Sequence, residues 1–522
     1  MNDGSDKASI ARRYDAIAYA AQSNALSHPR HLATVAALFG VDSPSVSRCR
    51  VLEVGCSDGS NLLPMAAGLP HAKLVGCDLS SRAVEAAQQV IEDTGLSNVQ
   101  VLQHDLGSLP ASLGDFDYII AHGIYSWVPA PVRDALFELA RTRLSDRGVM
   151  YVSLNVFPGC RTRQIAWDIL RHHTQHIEEP RAKLDAARAL CELLADGGAV
   201  QSENDQRLRD EFRRLSKEAD SALFHDDLAT LNHPVYFHEY AAHAAAYGLN
   251  YLADAKLMSP LGSGLAPRLQ SAIGGLERLQ REQYLDFAMV RRFRHSLLCR
   301  SGSASNFAFD EGRAKDMHAS ASTALVRAAA EGKALAAGDA TPPALQDPAA
   351  ATALALLQWL TSISPRSASM DDISAWLDER GRGNEAFPVD DAALTAIRAR
   401  LPSMLSQGFV TGTIDLQLEP VALSAVVPDR PCTSVVTRWQ AVHRNRVTNL
   451  RHETMTLKDA LALRLLAKLD GRLDVDQLVE KVNAEAPIAP STPQACEIVG
   501  AYLHQFAKHA LLMPAESPNE RA

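Results

Sequence analysis

The sequence predicts an α/β fold with a doubly wound parallel sheet, followed by a mainly helical region and two small C-terminal domains. Between residues 50 and 155, short apolar strands alternate with helical patterns, which is the βαβα rhythm of such a sheet. The first predicted strand runs into a glycine turn at 55–59, and the second and third end at the acids Asp78 and Asp105. Because open α/β sheets bind ligands at this carboxyl edge, the same residues predict a binding site.

The first strand and its turn give the clearest local signal. An apolar run at 51–54 is typical of a buried parallel strand. Gly55 and Gly59 would let the backbone take positive φ and approach a ligand closely. The helix that follows points its free N–H groups into the same space. A second strand at 73–76 leads to Asp78, an acid suited to the hydroxyl groups of a ribose.

Two other interpretations of this turn stay open. Gly55 and Gly59 can serve only to shape a tight connection between a strand and a helix. A dinucleotide site is the second alternative, and its phosphate-binding fingerprint has glycine at turn positions one, three and six. Here those positions hold Gly55, Ser57 and Ser60, so the fit to a dinucleotide site is poor.

Three further strands complete the predicted sheet. They lie at 99–106, 117–121 and 149–154, and the second of these opens into His-Gly-Ile-Tyr-Ser-Trp-Val-Pro at 122–129. Helical patterns separate the strands. This succession indicates the doubly wound topology without reference to any family.

Composition restricts the class of function. The net charge is −9, which argues against a broad electrostatic affinity for nucleic acid, because that affinity depends on neutralising phosphates. The first residues lack an apolar signal core and no run approaches a membrane span, so we expect no membrane-spanning segment. The eight cysteines show no paired metal spacing, and we interpret them as buried thiols of a cytoplasmic protein.

A group of histidines between 225 and 243 invites a metal interpretation. His238, Glu239 and His243 place two histidines five positions apart, whereas the shared helical face of HExxH requires four. We therefore expect no metal site here. Residues 232–234 are interpreted as the start of a helix instead.

Composition also divides the chain into six expected segments. They are N-terminal lid helices (1–40), a ligand-binding α/β domain (41–175), a helical region (176–300), a linker (301–350), a middle domain (351–425) and a C-terminal domain (426–522). The middle domain shows three helices and then a hairpin-like strand pair at 409–416, which is a winged-helix pattern. Its few basic residues favour contact with a protein over contact with DNA.

Seven motifs spread along the chain belong to one pattern. They are Tyr14-Asp15, Ser27-His28-Pro29, Glu53-x-Gly55-Cys56-x-x-Gly59, the run 123–129, Asn155-x-x-Pro158-Gly159, Asn232-x-Pro234-Val235-Tyr236-Phe237 and the run 446–452. This pattern resembles class I S-adenosylmethionine (AdoMet) methyltransferases with a methyltransferase regulatory domain, including the rickettsial-type protein lysine methyltransferases. The resemblance implies a Rossmann-like methyltransferase sheet, a mainly helical regulatory region and small C-terminal domains of the winged-helix or PqqD type.

The resemblance implies AdoMet as the cofactor and assigns its contacts. In this family the glycine turn holds the methionine and ribose parts, which here involves Glu53, Gly55 and Gly59, with Asp78 on the ribose. Asp105 would accept a hydrogen bond from the exocyclic amine of adenine. The other expected cofactor contacts are Cys56, Leu79, Leu106 and His122.

The resemblance also implies methyl transfer to lysine side chains of a protein substrate, and it leaves a homodimer open. Tyr125 and Trp127 would form a pocket wall around the lysine stem, with a cation–π contribution while the amine is charged. Tyr14 and His28 would close over the site, and His28 is the candidate base from its usual pKa. Buried packing is the alternative role for these side chains.

Two further functions stay open on the sequence alone. One is methyl transfer to a small molecule or a lipid, with the extra domains completing the cover of the site. The other is a non-catalytic protein that senses AdoMet and recruits a partner through its C-terminal domains. The location of methyl groups transferred from labelled AdoMet would separate these functions.

Overall fold

A seven-stranded mixed sheet forms the centre of the protein, which is represented by a computed structural model. The structure describes residue 17 and the ranges 22–257, 265–303, 307–331, 348–383, 391–486, 488 and 491–515. The strands of the sheet are Arg50–Val54 (β1), Lys73–Asp78 (β2), Val99–Gln103 (β3), Phe116–Ala121 (β4), Leu144–Asn155 (β5), Leu249–Asp254 (β6) and Phe293–Arg300 (β7). Their order in the sheet is β3-β2-β1-β4-β5-β7-β6.

Strands β1 to β5 pair in parallel, and β7 lies antiparallel between β5 and β6. Three helices pack on one face of the sheet: Pro29–Leu38 (α1), Leu62–Gly68 (α2) and Ser81–Thr94 (α3). Ala130–Arg143 (α4) packs on the other face. Separate hydrophobic cores therefore lie on the two faces, and the predicted doubly wound α/β fold is confirmed.

The region 176–300 is not separate from the sheet, in contrast to the predicted boundary at residue 175. After Cys160–Thr174 (α5), the helices Pro180–Ala195 (α6) and Glu203–Ser216 (α7) pack on α5 and form a helical layer with its own apolar core. A short helix Asp220–Ala222 and a π-helical turn Leu223–Asp227 follow, and Phe237–Ala246 (α8) packs on the sheet face covered by α4. The helices Pro267–Gly274 (α9) and Arg278–Met289 (α10) then connect β6 to β7. Local pattern did not reveal this arrangement because strand pairing over a hundred residues is set by tertiary packing.

The expected linker at 301–350 contains ordered structure in its described part. Residues 307–331 form a 3-10 helix Glu311–Asp316, the strand His318–Ala321 (β8) and the helix Thr323–Ala330 (α11), whereas 332–347 lie outside the described residues. Met317, Ala319 and Ala321 are buried in the core of the middle domain. Small side chains made this segment resemble a linker, although alanine also suits a closely packed strand.

The middle domain consists of Pro348–Ser362 (α12), Met370–Gly383 (α13), Asp391–Thr411 (α14) and Ile414–Gln417 (β9). The hairpin predicted at 409–416 is wrong, because α14 continues through Phe409 and β9 pairs with β8 rather than with its sequence neighbour. Gly412, with a φ of 74°, ends the helix and directs the chain into β9. The core of this domain also packs against α1.

The C-terminal domain contains Val435–His443 (α15), Arg446–Thr448 (β10), Thr454–Thr456 (β11), Ala460–Leu466 (α16), Val475–Glu485 (α17) and Thr492–Lys508 (α18). Strands β10 and β11 pair antiparallel as a short hairpin. Helix α15 packs on α2 and α3, and Val436 joins the core beneath them. None of its helices, nor any other helix within the described ranges, combines the length and apolar character required to cross a membrane.

A buried ion-pair network fastens the two additional strands to their connecting helix. The Arg294 side chain in β7 is fully buried, and its Nη1 lies 2.5 Å from Asp254 Oδ2 in β6. Its Nη2 lies 2.8 Å from Asp286 Oδ1 in α10. Its guanidinium also stacks 4.1 Å from the centre of the Phe237 ring. Loss of this cation would leave the buried carboxyl groups of Asp254 and Asp286 to share the single guanidinium of Arg291, at 2.8 and 3.2 Å.

We expect Arg294→Met to destabilise the protein by about 3–5 kcal/mol, because it removes one side of a buried ion-pair network. Unfolding in urea, followed by circular dichroism, measures this loss. The control Arg300→Met changes a half-exposed arginine at the other end of β7, where an ion pair contributes less than about 1 kcal/mol. Equal losses in the two variants would contradict a special role for Arg294.

Candidate functional site

The turn between β1 and α2 brings the backbone to the carboxyl edge of the sheet. Gly55 and Gly59 have φ angles of 68° and 72°. A Cβ atom at Gly55 would lie 2.3 Å from Ile124 Cδ1, in the loop after β4. The positive φ therefore favours glycine at position 55, whereas the Ile124 methyl group is the end of a flexible side chain that can move aside. The turn has the shape that the motif predicts.

Glu53 lies in β1 directly beneath this turn and is 3% exposed. Its Oε1 accepts a hydrogen bond of 2.7 Å from Asn61 Nδ2, while its buried Oε2 has no partner among the described residues. Burial raises the pKa of Glu53 to about 8; the Asn61 bond opposes this shift, and Asp78 and Asp58 add to it. A ligand that offers an N–H group or a positive charge would satisfy the unpaired oxygen.

Asp78 and Asp105 stand at the ends of the second and third strands, as predicted. The Asp78 carboxylate accepts hydrogen bonds from the Ser57 and Ser80 backbone N–H groups, at 2.8 and 2.9 Å. The Asp105 carboxylate accepts one of 2.8 Å from the Gly107 N–H. Both carboxyl groups are half-buried at the same edge of the sheet. The backbone thus fixes their orientation before any ligand binds.

The remaining predicted cofactor contacts in this area differ in accessibility. Cys56 is buried against β2, where a Cβ atom at Gly76 would lie 2.6 Å from its Sγ. Burial raises the pKa of the Cys56 thiol well above its usual value, so this cysteine is a small packing residue rather than a nucleophile. Leu79 and Leu106 are half-buried beside Asp78 and Asp105.

A second polar cluster lies at the ends of β4, β5 and β7, with the Tyr151 hydroxyl at its centre. This hydroxyl lies 2.7 Å from His295 Nδ1 and 3.2 Å from His122 Nδ1. It also accepts a hydrogen bond of 3.2 Å from Asn24 Nδ2. His122 is exposed at the carboxyl edge, whereas Tyr151 is buried. We call Asn24, His122, Tyr151 and His295 the tyrosine–histidine cluster.

The tyrosine–histidine cluster carries no charge near neutral pH. Desolvation by the surrounding protein lowers the pKa of His122 to about 4, although the residue as a whole is exposed. Burial also lowers the pKa of His295 to about 4, and it raises the pKa of the Tyr151 hydroxyl. Each imidazole therefore offers one lone pair and one N–H group. The cluster can hold a polar group by hydrogen bonds without adding charge.

The structure places Tyr125 in the hydrophobic core rather than on a pocket wall. Its side chain is 2% exposed and its ring packs on Phe137 and Tyr240. Its hydroxyl lies 2.9 Å from His243 Nδ1. Burial raises its pKa to about 12. The expected catalytic position of Tyr125 is therefore corrected to a packing role, whereas Trp127 is half-buried in the loop after β4.

The candidate base His28 is also corrected, because its lone pair is already occupied. His28 is 5% exposed, and its Nδ1 accepts a hydrogen bond of 3.1 Å from the Arg30 N–H at the start of α1. Burial lowers its pKa well below the usual value. His28 therefore caps a helix in the neutral form. The other predicted lid residue, Tyr14, lies outside the described residues.

Sequence reasoning missed several polar residues that the fold brings to this site. They are Asn24, Asn61, Tyr151, His295 and His452. Tyr151 sits inside an apolar strand and His295 next to a basic run, so neither stood out. Asn61 follows the glycine turn directly, and this position was the available signal. His452 belongs to the tail motif 446–452, which carried no functional assignment.

The histidines considered for metal binding have separate partners. His225 Nε2 lies 2.6 Å from the Ile17 carbonyl oxygen, and His238 Nδ1 lies 2.9 Å from Gln283 Oε1. His243 Nε2 pairs with Asp134. Within the described ranges, no three His, Cys, Asp or Glu side chains form a group that could hold a metal ion.

Family models match three parts of the chain. Residues 51–148 match a methyltransferase domain, and residues 219–300 match a domain described as a predicted methyltransferase regulatory domain. Residues 429–488 match the C-terminal winged-helix domain of PKMT. The first match covers β1 to the first part of β5, the second covers β6 and β7, and the third begins before α15.

Two curated relatives come from Rickettsia prowazekii. The uncharacterized protein RP789 is 35% identical over 288 residues, which are 55% of this chain and 52% of the relative. The uncharacterized protein RP028 is 30% identical over 232 residues, which are 44% of this chain and 91% of the relative. The chain thus spans about half the length of RP789 and nearly all of RP028.

A solved structure, PKMT2 from Rickettsia typhi, has a similar overall fold. It superposes with a TM-score of 0.80 at 23% identity, over 95% of this chain and 100% of the PKMT2 chain. A second PKMT2 structure, in complex with AdoHcy, gives a TM-score of 0.78 at 22% identity, over 95% of this chain and 99% of that one. The similarity extends over the sheet, the middle domain and the C-terminal domain.

We expect the Glu53 carboxyl group to make stability depend on pH in the ligand-free protein. Its pKa of about 8 exceeds the value of 4.5 typical of the unfolded chain, so the folded state binds the proton more tightly. The stability of wild type relative to Glu53→Gln should therefore fall as pH rises through this interval, by at most about 1.4 kcal/mol per pH unit. Urea unfolding at intervals from pH 4 to 9 measures this difference.

The control is Glu85→Gln, which removes an exposed carboxyl group on α3 and should keep the wild-type pH dependence. If the free energy of unfolding changed with pH in the same way in wild type and Glu53→Gln, Glu53 would have the ordinary pKa of a glutamate.

Proposed function

Because the chain belongs to the class I AdoMet methyltransferases with a regulatory domain, which include the rickettsial-type protein lysine methyltransferases, we propose that it methylates lysine side chains of a protein substrate. The observation that carries this proposal is the position of two unlike polar sites along one sheet edge. One contains buried Glu53 and the acids Asp78 and Asp105. The other is the uncharged tyrosine–histidine cluster.

The first site suits the donor AdoMet. The unpaired Glu53 Oε2 would accept a hydrogen bond from the ammonium group of the methionine part. Asp78 would accept from the ribose hydroxyls and Asp105 from the adenine amine, and both carboxylates are already oriented by backbone N–H groups. The related fold of PKMT2 was solved in complex with AdoHcy. We propose the same class of nucleoside for this chain.

The second site suits an amine acceptor. When bound, AdoMet supplies a methyl group on a positively charged sulfur atom. When a nucleophile takes this methyl group, the rest of AdoMet leaves as a neutral thioether. The protein must hold the lysine amine in line and let it lose its proton. An uncharged, partly buried environment favours the neutral amine, whereas a carboxylate would favour the ammonium form. The tyrosine–histidine cluster provides such an environment.

His122 would orient the amine rather than take its proton. A histidine with a pKa of about 4 is a weak base, since lysine holds its proton with a pKa of about 10.4. The lone pair of a neutral imidazole can nevertheless accept a hydrogen bond from the amine. Because His122 is exposed at the sheet edge, water can receive the proton. The chain thus contributes orientation and desolvation, and the solvent contributes the base.

We expect Asp78→Ala to weaken AdoMet binding by about 1–3 kcal/mol, because hydrogen bonds to the ribose are lost. Isothermal titration calorimetry measures the affinity. The control Asp115→Ala removes an exposed acid before β4, at the opposite edge of the sheet, and should leave the affinity unchanged. Binding by wild type and Asp78→Ala with equal affinity would remove Asp78 from the ribose role. No binding by wild type would refute the donor proposal.

We expect tritium from methyl-labelled AdoMet to appear on lysine residues of lysate proteins, as mapped by mass spectrometry. Tyr151→Phe should lower this transfer on the order of tenfold, because it removes the hydroxyl that holds both imidazoles. The control Tyr118→Phe removes a buried hydroxyl that bonds Ser43 and Pro44, away from the site, and should transfer normally.

Label found only in the small-molecule or lipid fraction would refute protein lysine methylation. AdoMet binding without any transfer would indicate a non-catalytic sensor instead.

A further inference from the structure

The C-terminal domain contacts the glycine turn directly, although it lies almost four hundred residues away in the sequence. Arg444, which follows α15, donates hydrogen bonds to Ser60 Oγ at 2.8 Å and to Asp58 Oδ2 at 3.0 Å. Thr454 at the start of β11 accepts a hydrogen bond of 3.1 Å from the Ser23 N–H. The C-terminal domain is therefore bonded both to the turn above Glu53 and to the N-terminal segment beside it.

The loop between β10 and β11 presents His452 to the same site in one fixed position. The Asn449 side chain accepts hydrogen bonds from the Arg451 and Glu453 N–H groups, at 3.0 and 2.9 Å. The His452 N–H donates to the Asn449 carbonyl, and His452 has a φ of 64°. His452 is 4% exposed, and the centre of its ring lies 4.9 Å from the centre of the His28 ring. The backbone of the loop thus holds the imidazole in place.

His452 bonds to the asparagine that partners Glu53. Its Nε2 lies 2.8 Å from Asn61 Oδ1, and the Asn24 N–H donates to the same oxygen at 2.8 Å. Because a backbone N–H can only donate, this oxygen is the acceptor and His452 must donate to it. The Asn61 amide nitrogen is thereby left to donate to Glu53 Oε1 at 2.7 Å and to Ser27 Oγ at 3.2 Å.

We propose that His452 is a positioning residue of the donor site, which orients Asn61 and through it the Glu53 carboxyl group toward the cofactor. This inference rests on the proposed function, since it assumes that Glu53 binds the cofactor ammonium. It assigns the C-terminal domain a part in cofactor binding. It also predicts that the contribution of the C-terminal domain to cofactor binding depends on the His452 side chain, which a substitution can remove.

Removal of the His452 side chain would act on the site through the loss of its buried hydrogen bond to Asn61. Without His452, the Asn61 oxygen keeps only the Asn24 N–H, and a buried acceptor site becomes unsatisfied. The amide can then tilt, which weakens its bond to Glu53 and raises the pKa of that carboxyl group further. Other titratable or charged groups face this region. They are Cys56, Asp58, Cys77, Asp78 and Tyr151 around the turn and sheet, His28 and Arg30 at the start of α1, and Arg444 on the C-terminal domain.

The test uses the full chain with His452→Ala and, separately, with His452→Met. Methionine fills a similar space but has no N–H group to donate. We expect each variant to bind AdoMet about tenfold more weakly, the effect of one lost hydrogen bond of about 1.4 kcal/mol. In the cofactor-free protein, the fall of stability that is linked to Glu53 should extend to higher pH than in wild type. The exposed Arg446→Ala in β10 is the control and should behave as wild type in both measurements.

Two further variants separate positioning from general structure. His452→Gln places an amide N–H near the position of Nε2 and should recover the affinity to within about threefold of wild type. In a Glu53→Gln background, His452→Met should change the affinity less than twofold, because its route through the carboxylate is gone. The proposal would be overturned if His452→Met lowered AdoMet affinity equally with and without the Glu53 carboxylate. Unchanged affinity in both His452→Ala and His452→Met would also overturn it. Absence of AdoMet binding by wild type would instead refute the proposed function.

Discussion

The Glu53 carboxyl group, which is buried without an opposite charge among the described residues, sets the chemistry of the proposed donor site. Glu53 lies beneath the glycine turn with one hydrogen bond from Asn61 and two acids nearby, so the ligand-free protein favours its protonated form. An incoming ammonium group would favour the ionised form. This environment would favour the cationic amino acid end of a ligand over a phosphate, because among the described residues no positively charged side chain contacts Glu53. The chemistry of the site therefore agrees with the poor fit of the dinucleotide fingerprint.

The N-terminal segment links the proposed donor site to the proposed acceptor site through one residue. The Asn24 backbone N–H bonds to Asn61, while its side chain bonds to the Tyr151 hydroxyl. Asn24 therefore contacts both the group that holds Glu53 and the centre of the tyrosine–histidine cluster. A shift of this residue would disturb the hydrogen bonds of both sites together. Within the segment predicted as a lid, Asn24 rather than His28 thus makes the contacts to both sites.

The sequence predicted those parts of the site that depend on local chain geometry. The glycine turn, the strand before it and the acids Asp78 and Asp105 follow from strand alternation and turn residues, and the structure shows them at one edge. Tyr125 and His28 were misplaced because residue type does not reveal which side of a strand or helix end faces the core. His452 and Tyr151 could not be assigned from sequence, since their partners come from distant segments. The same reason explains why β8 was taken for part of a linker.

The antiparallel strand β7 also constrains how the sheet can form. It separates β5 from β6, so the edge of β5 has no neighbour until residues 293–300 are present. During synthesis, the nascent chain would carry an open strand edge while about 140 residues emerge from the ribosome, and such edges recruit other chains. A fragment that ends after β5 would keep this strand edge unpaired. In the folded protein, the regulatory region therefore supplies the strand that pairs with the free edge of β5.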